Sequence, residues 1–255
     1  MNFSAAEVGR WLDRLYIGTV GATLRDEDRR KAAELAALLE EIARAVGRTG
    51  KAHDLTVVDA ASGKSYVGLL TAKLVLEASG RPAKVVCIER DPALVALTER
   101  AVVELTSAVP ITCHCADVSD FAAWPRMPAL VVALHACGPA SDHIIEQSIA
   151  TAARTLLLAP CCVGAGVMRV SDAEQLAQDM GLPRAAPIRR RFVHTLIEAD
   201  RLLTLEAAGY QTDVVEFVAP TITPYNTLFR AHRVREPIRM ARARADLVRL
   251  WRRAV

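Results

Sequence analysis

Aromatic residues make up only 5% of this 255-residue chain, so it offers few stacking platforms for single-stranded nucleic acid. It also lacks any run of about eighteen apolar residues, which excludes a bilayer-spanning helix even though 52% of the residues are hydrophobic, a share inflated by alanine. The first residues, Met1 to Glu7, contain no basic region leading into an apolar stretch. A secretory signal is therefore not expected, and a cytoplasmic location without a membrane partner is. The six cysteines include no C-x-x-C pair, which removes the usual spacing of a zinc site. In a reducing compartment they are expected to be free thiols or ligands rather than a disulfide framework. There is no internal repeat and no low-complexity tract. The formal net charge is only +3, but it is unevenly spread, with nine arginines against two acids between Arg230 and Val255. Such a basic end suits phosphates.

The most informative segment runs from Val57 to Gly68. It reads as a buried strand, a tight turn of small residues at Ala61, Gly63 and Ser65, and then a helix whose free amides face the same place. That device cradles nucleotides. Gly63-Lys64-Ser65 matches the end of a P-loop, yet Val58 stands where the loop needs its first glycine, and no later apolar strand ends in an aspartate suited to magnesium. Dinucleotide binding needs three spaced glycines, and the aligned positions are Ala61, Gly63 and Tyr66. A tyrosine at the close-packing position opposes that reading. What remains is an acid two residues before alternating small ones, Asp59-x-Ala61-x-Gly63-x-Ser65.

Apolar periodicity predicts a helix from Asp26 to Val46, then strands at 55–58, 84–88, 109–115, 130–134 and 155–159, separated by helices at 65–78, 91–107 and 141–153. Asp91-Pro92 is a helix start, with aspartate capping and proline in the first turn. After a helix from Phe192 to Ala208, the runs 212–218 and 227–234 read as a hairpin. The expected fold is α/β: a Rossmann-like seven-stranded, mostly parallel sheet with an antiparallel terminal hairpin, helices on both faces, and an N-terminal helical extension. The chain divides into that extension (1–50), a main domain (51–235) in which 163–191 occupies the place of a substrate lid, and a basic C-terminal helix (236–255). Ligands of such sheets bind beyond the carboxyl ends of the strands, where the polar clusters fall.

The Asp59 motif and the terminal hairpin resemble the class I S-adenosylmethionine (SAM)-dependent methyltransferases. Leu134-His135-Ala136-Cys137-Gly138, Pro160-Cys161-Cys162 and Thr223-Pro224-Tyr225-Asn226 narrow the resemblance, over about residues 30 to 234, to the methyltransferase-like 25 group, whose members usually carry a basic residue where Tyr225 stands. The resemblance implies SAM as cofactor. Asp59, Ala61 and Gly63, with Ser62, would lie beside its methionine and ribose. Glu89, with Arg90 next to it, would take the ribose hydroxyls, because a carboxylate accepts two hydrogen bonds from a diol. Asp117 and Val118 would meet the adenine, and His135 the sulfonium and the incoming nucleophile.

His135, Cys137, Cys161 and Cys162 are expected to converge above the strand edge. Three readings stay open: small residues packed beneath the cofactor, a metal site through these residues or Cys113-His114-Cys115, and a thiolate nucleophile at Cys161. Packing is favoured and no metal is expected, because side chains of adjacent residues on a strand face opposite ways. His135 is the candidate base and Cys161 the second candidate catalytic residue. RNA is the favoured acceptor class on charge alone, with Arg184, Arg189, Arg190 and Arg191 contributing; protein and small-molecule acceptors, or a SAM-fold binding protein without transfer activity, are the alternatives.

Overall fold

The computed structural model describes residues 2–18, 21, 23–50, 54–185 and 187–252; the boundary placed at residue 51 and the tail residue Arg253 lie outside the described residues. Seven strands form one sheet: β1 (Leu55–Ala60), β2 (Ala83–Glu89), β3 (Ile111–Cys115), β4 (Leu130–Ala136), β5 (Thr155–Pro160), β6 (Tyr210–Glu216) and β7 (Thr227–Arg233). Their order is β3-β2-β1-β4-β5-β7-β6. The first five pair in parallel, while β7 runs antiparallel to both β5 and β6. The expected sheet and terminal hairpin are therefore present, with the hairpin's second strand inserted beside β5.

Strands buried on both faces read as continuous apolar runs, and alternate residues divide between two cores. Val57, Val85, Leu130, Val132 and Leu157 face one side. Val58, Val86, Val131, Leu156 and Leu158 face the other. In-register pairing of Val57 with Val85 and Val58 with Val86 keeps those rows aligned across the strands.

On the first face lie α1 (Ala5–Leu12), extended by a π turn (Asp13–Ile17), and α2 (Asp26–Arg48). Helix α2 carries Leu35, Leu38, Leu39 and Ile42 into the sheet's own core, all nearly inaccessible. Each such side chain contributes about 1.5–3 kcal/mol, against at most about 1 kcal/mol for an exposed pair such as Arg29–Asp26. Hydrophobic contact with the sheet thus decides where α2 sits. Arg230 on β7 ties it further by pairing with the buried Glu41.

The crossover after β1 begins as α3 (Tyr66–Leu70), widens into a π segment (Thr71–Leu76) and ends in the short turn α4 (Glu77–Ser79). It differs from the uniform helix expected over 65–78. Helix α5 (Pro92–Leu105) starts as the sequence indicates, Asp91 accepting a hydrogen bond from the Ala93 amide at 2.8 Å. On the second face lie α6 (Ala140–Ala150) and the end of α8 (Pro187–Ala207), whose Leu205 joins that core. Helices α7 (Val170–Asp179), α8 and α9 (Pro237–Trp251) share a small satellite core around Val193, Ile197 and Trp251. Trp251 Nε1 donates to Asp200 Oδ1 at 2.6 Å and docks α9. Among the described residues no helix is long and apolar enough to cross a membrane.

Close packing at the first crossover falls to Gly68, two residues beyond Tyr66, the position that the dinucleotide spacing assigns to glycine. A Cβ on Gly68 would stand 2.8 Å from Cys87 Sγ and 3.0 Å from Asp59 Oδ2. Neither neighbour is the free end of a long side chain. Gly68→Ala is expected to lower stability by about 1–3 kcal/mol, as overpacked cores do, read as a lower urea midpoint at unchanged slope.

Candidate active site

The turn leaving β1 uses left-handed backbone at three alternating residues, Ala61 (φ 53°), Gly63 (φ 57°) and Ser65 (φ 51°). Two of the three are not glycine, and each pays about 1–2 kcal/mol for that conformation. The compensation is hydrogen bonding to the neighbouring strand. The Ser62 amide donates to the Ile88 carbonyl at 3.0 Å, and the Gly63 amide donates to Glu89 Oε2 at 2.8 Å. Glu89 Oε1 accepts from the Asp91 amide at 3.0 Å, which anchors the carboxylate at the end of β2.

Beneath the turn, Asp59 is 1% exposed and its Oδ2 accepts from the Gly68 amide at 2.8 Å. Burial pushes its pKa up to about 8, against the opposing effect of that amide. Tyr16, from the π turn after α1, donates its hydroxyl proton to the Lys64 carbonyl and packs edge-on against Tyr66 at 4.8 Å between ring centres. The N-terminal segment thus braces the turn from outside.

A cavity of about 300 Å³ opens beyond the strand ends, within the size range of small-ligand sites. Ala61, Glu89, Arg90, Asp117 and Val118 line it. Cys137, Pro139, Ala140 and His143, at the β4 end and the start of α6, close its other side. These last residues were not foreseen apart from Cys137, although their place after β4 and at a helix start was a readable signal. Asp117 accepts from the Ser119 amide at 2.9 Å and hydroxyl at 2.8 Å, which hold its pKa below the ordinary carboxylate value. Arg90 stands 3.8 Å from it.

Five expected site residues, Asp59, Ser62, Gly63, His135 and Cys161, do not line the cavity. Asp59 lies under the turn, Ser62 accepts the Ser65 hydroxyl at 2.8 Å, and the Gly63 amide is occupied by Glu89. His135 is displaced by a bulge: pairing of β4 with β5 shifts register between Leu134 and Ala136, and His135 takes φ 59°. A bulge re-aims a side chain, here toward α2, where His135 Nε2 stands 2.6 Å from Glu34 Oε1. Glu34 was missed, since an acid on a helix ordinarily faces solvent. It is 3% exposed, and although burial would raise its pKa, His135 and Lys31 together draw it below the usual value.

The cysteines depart from the expectation of free thiols or ligands, because Cys137 and Cys161 are joined in a disulfide. Cys162 is free and exposed. Proximity of the two loops explains the pairing, the Gly138 amide donating to the Cys162 carbonyl at 3.1 Å. Of the four arginines assigned to the lid region, Arg189 is buried and paired with Glu174, so it belongs to the α7–α8 packing; Arg184, Arg190 and Arg191 are exposed. Tyr225 is exposed at the same edge, its pKa raised chiefly by Cys162 against an opposing pull from Arg190.

A family of methyltransferase domains matches residues 30–165, and the chain belongs to that family. Among solved structures, magnesium protoporphyrin IX methyltransferase (ChlM) from Synechocystis PCC 6803 with bound SAM has 14% sequence identity and a TM-score of 0.50, the match covering 88% of this chain and 90% of that one. The CMeT domain of the citrinin polyketide synthase has 13% identity and a TM-score of 0.50, covering 89% of this chain and 60% of that one. At such identities the likeness is one of fold. No curated protein matches the chain.

The raised pKa of Asp59 has a direct consequence for stability. Its folded value of about 8 lies above its ordinary 3.8, so the folded state holds a proton that the unfolded chain releases between those limits. Stability from this group is complete below about pH 4 and declines as pH rises toward 8. In Asp59→Asn, urea unfolding across that window should show a flatter dependence on pH than in the parent.

Proposed function

We propose that this chain is a SAM-dependent methyltransferase, of the type that the methyltransferase-like 25 resemblance suggests, and that its acceptor is RNA. The observation that carries the reading is the cavity at the point where strand order reverses between β1 and β4, with Glu89 and Asp117 on its wall. The cofactor supplies a methyl group already activated on a cationic sulfur. The protein's task is then to bind, orient and manage one proton.

Glu89 binds the ribose diol in this reading. Its two amide contacts leave lone pairs for further hydrogen bonds and fix the carboxylate in place. Asp117, held ionised by Ser119, accepts from the adenine amino group, while Ala61, Arg90 and Val118 shape the cavity. Asp59, Ser62 and Gly63 act indirectly, by holding the turn. His135 is the candidate base. Glu34 beside its Nε2 sets the ring's orientation, and the buried Nδ1 has no hydrogen-bond partner among the described residues. Cys161 can serve as a nucleophile only after its bond to Cys137 is reduced, so it is not assigned a step.

Charge supports an anionic acceptor. Arg190 and Arg191 on α8 are exposed, as are Arg242, Arg244 and Arg249 on α9 and Arg252 just after it. Among the described residues Asp246 alone pairs with Arg242 and Arg249, so the helix keeps a surplus of positive charge. Transfer of a labelled methyl group into fractionated RNA, protein and metabolite pools tests the class. Label in protein or metabolites alone would replace RNA with that acceptor, and tight SAM binding with no label anywhere would mean a binding protein.

Glu89→Ala should weaken SAM binding tenfold or more, since a hydrogen bond to a charged group contributes about 1.5–3 kcal/mol. Calorimetry giving an unchanged dissociation constant would remove Glu89 from the site. Replacing Arg242, Arg244 and Arg249 together by glutamine should lower RNA affinity and reduce its salt slope by roughly one per lost phosphate contact, measured by fluorescence anisotropy over a salt series.

A further inference from the structure

Three sulfurs meet beside the cavity. Cys137 follows β4, Cys161 and Cys162 follow β5, and their Sγ atoms all lie within 4.8 Å of one another. The objection that adjacent cysteines face opposite ways holds only along a strand. Strand β5 ends at Pro160, so Cys161 and Cys162 lie in the loop, where the alternation no longer applies. That loop is held against the next by the hydrogen bond from the Gly138 amide to the Cys162 carbonyl, Gly138 itself taking φ 59°. The ligand set is thus organised by backbone from two neighbouring strands.

We propose that, once the Cys137–Cys161 disulfide is reduced, Cys137, Cys161 and Cys162 bind one zinc(II) ion as thiolates. Tetrahedral bonds of about 2.3 Å set sulfurs roughly 3.8 Å apart, a spacing that needs only small rotations from the present arrangement. Three soft thiolates select zinc over magnesium or calcium. Reduction by an added dithiol returns both electrons and two protons to the cysteines and leaves the reagent as its cyclic disulfide. Binding then forms three zinc–sulfur bonds and releases three thiol protons, with water displaced from the ion. Cys137 and Cys162 are exposed, so the fourth coordination place is left to solvent. The site does not depend on the methyl-transfer reading, because no cofactor contact enters it.

Cobalt(II) is the probe. The full chain is reduced under argon, freed of reductant, shown by thiol titration to carry six thiols, and titrated with cobalt(II) and then with zinc(II), without SAM. One cobalt per chain, an intense near-ultraviolet sulfur-to-cobalt band, visible bands of tetrahedral cobalt and displacement by one equivalent of zinc are expected. Cys162→Ser should weaken cobalt binding by more than about tenfold while Cys113→Ser and Cys115→Ser leave it unchanged. Absence of the band in the fully reduced parent overturns the proposal, whatever the variants do. So does a band retained in Cys162→Ser or lost in Cys113→Ser or Cys115→Ser.

Discussion

A buried carboxyl group beneath a backbone amide sets the geometry of the whole carboxyl edge. Asp59 closes β1 with almost no solvent exposure, and the Gly68 amide reaches it only because Gly68 has no Cβ to collide with Cys87. An ionised carboxylate in that position would need more compensation than one amide supplies, so the group is held toward its neutral form. The hydrogen bond fixes where α3 begins. Once that start is fixed, residues 61–65 must reverse direction in very little space, and the left-handed angles at Ala61, Gly63 and Ser65 follow. The Gly63 amide then points at Glu89, and the cavity wall acquires its acid.

The helices before β1 are part of the same construction. Tyr16 caps the turn through the Lys64 carbonyl, and Glu34 reaches across from α2 to His135. Tyr16 and Glu34 are both buried, and a buried polar group that loses its partner costs more than an exposed ion pair returns. The N-terminal segment therefore bears on the site from two directions. The bulge at His135 makes the second contact possible: an unbulged strand would send that side chain elsewhere, and the left-handed backbone is held by the register shift opposite Ala159 and Pro160.

Much of this was legible in the residues, and the gaps have physical causes. Largely apolar runs of four to eight residues between turn signals located all seven strands, and Asp91-Pro92 marked a helix start that the structure reproduces. Glu89 and Asp117 could be placed because strand ends in a parallel sheet converge. Gly68 does not stand out in the sequence, since the dinucleotide spacing points at Tyr66, and close approach depends on how the helix leaves the turn. Glu34 was invisible because an acid on a helix ordinarily faces solvent, and nothing in the residues around it marks the one that is buried. The disulfide required knowing that two loops lie side by side. Arg189 looked like part of a basic surface, but its partner Glu174 is fifteen residues away, on another helix.

Charge is segregated in a way that suits the proposed chemistry. The cavity wall carries Glu89 and Asp117, with Arg90 turned largely outward, while the exposed edge beyond Tyr225 carries Arg190. Methyl transfer from a sulfonium removes a positive charge from the cofactor and places a methyl group on the acceptor, so acids favour the cofactor before transfer more than after it. In the proposed reading, an anionic acceptor reaching the exposed edge would meet arginine first. Exposed charges farther apart than about 8 Å are largely screened at physiological ionic strength. Under the proposed RNA reading, Arg190, beside the edge, would orient an approaching phosphate locally, whereas the arginines of α9 would raise the concentration of such a partner at the surface without choosing which of its atoms is methylated.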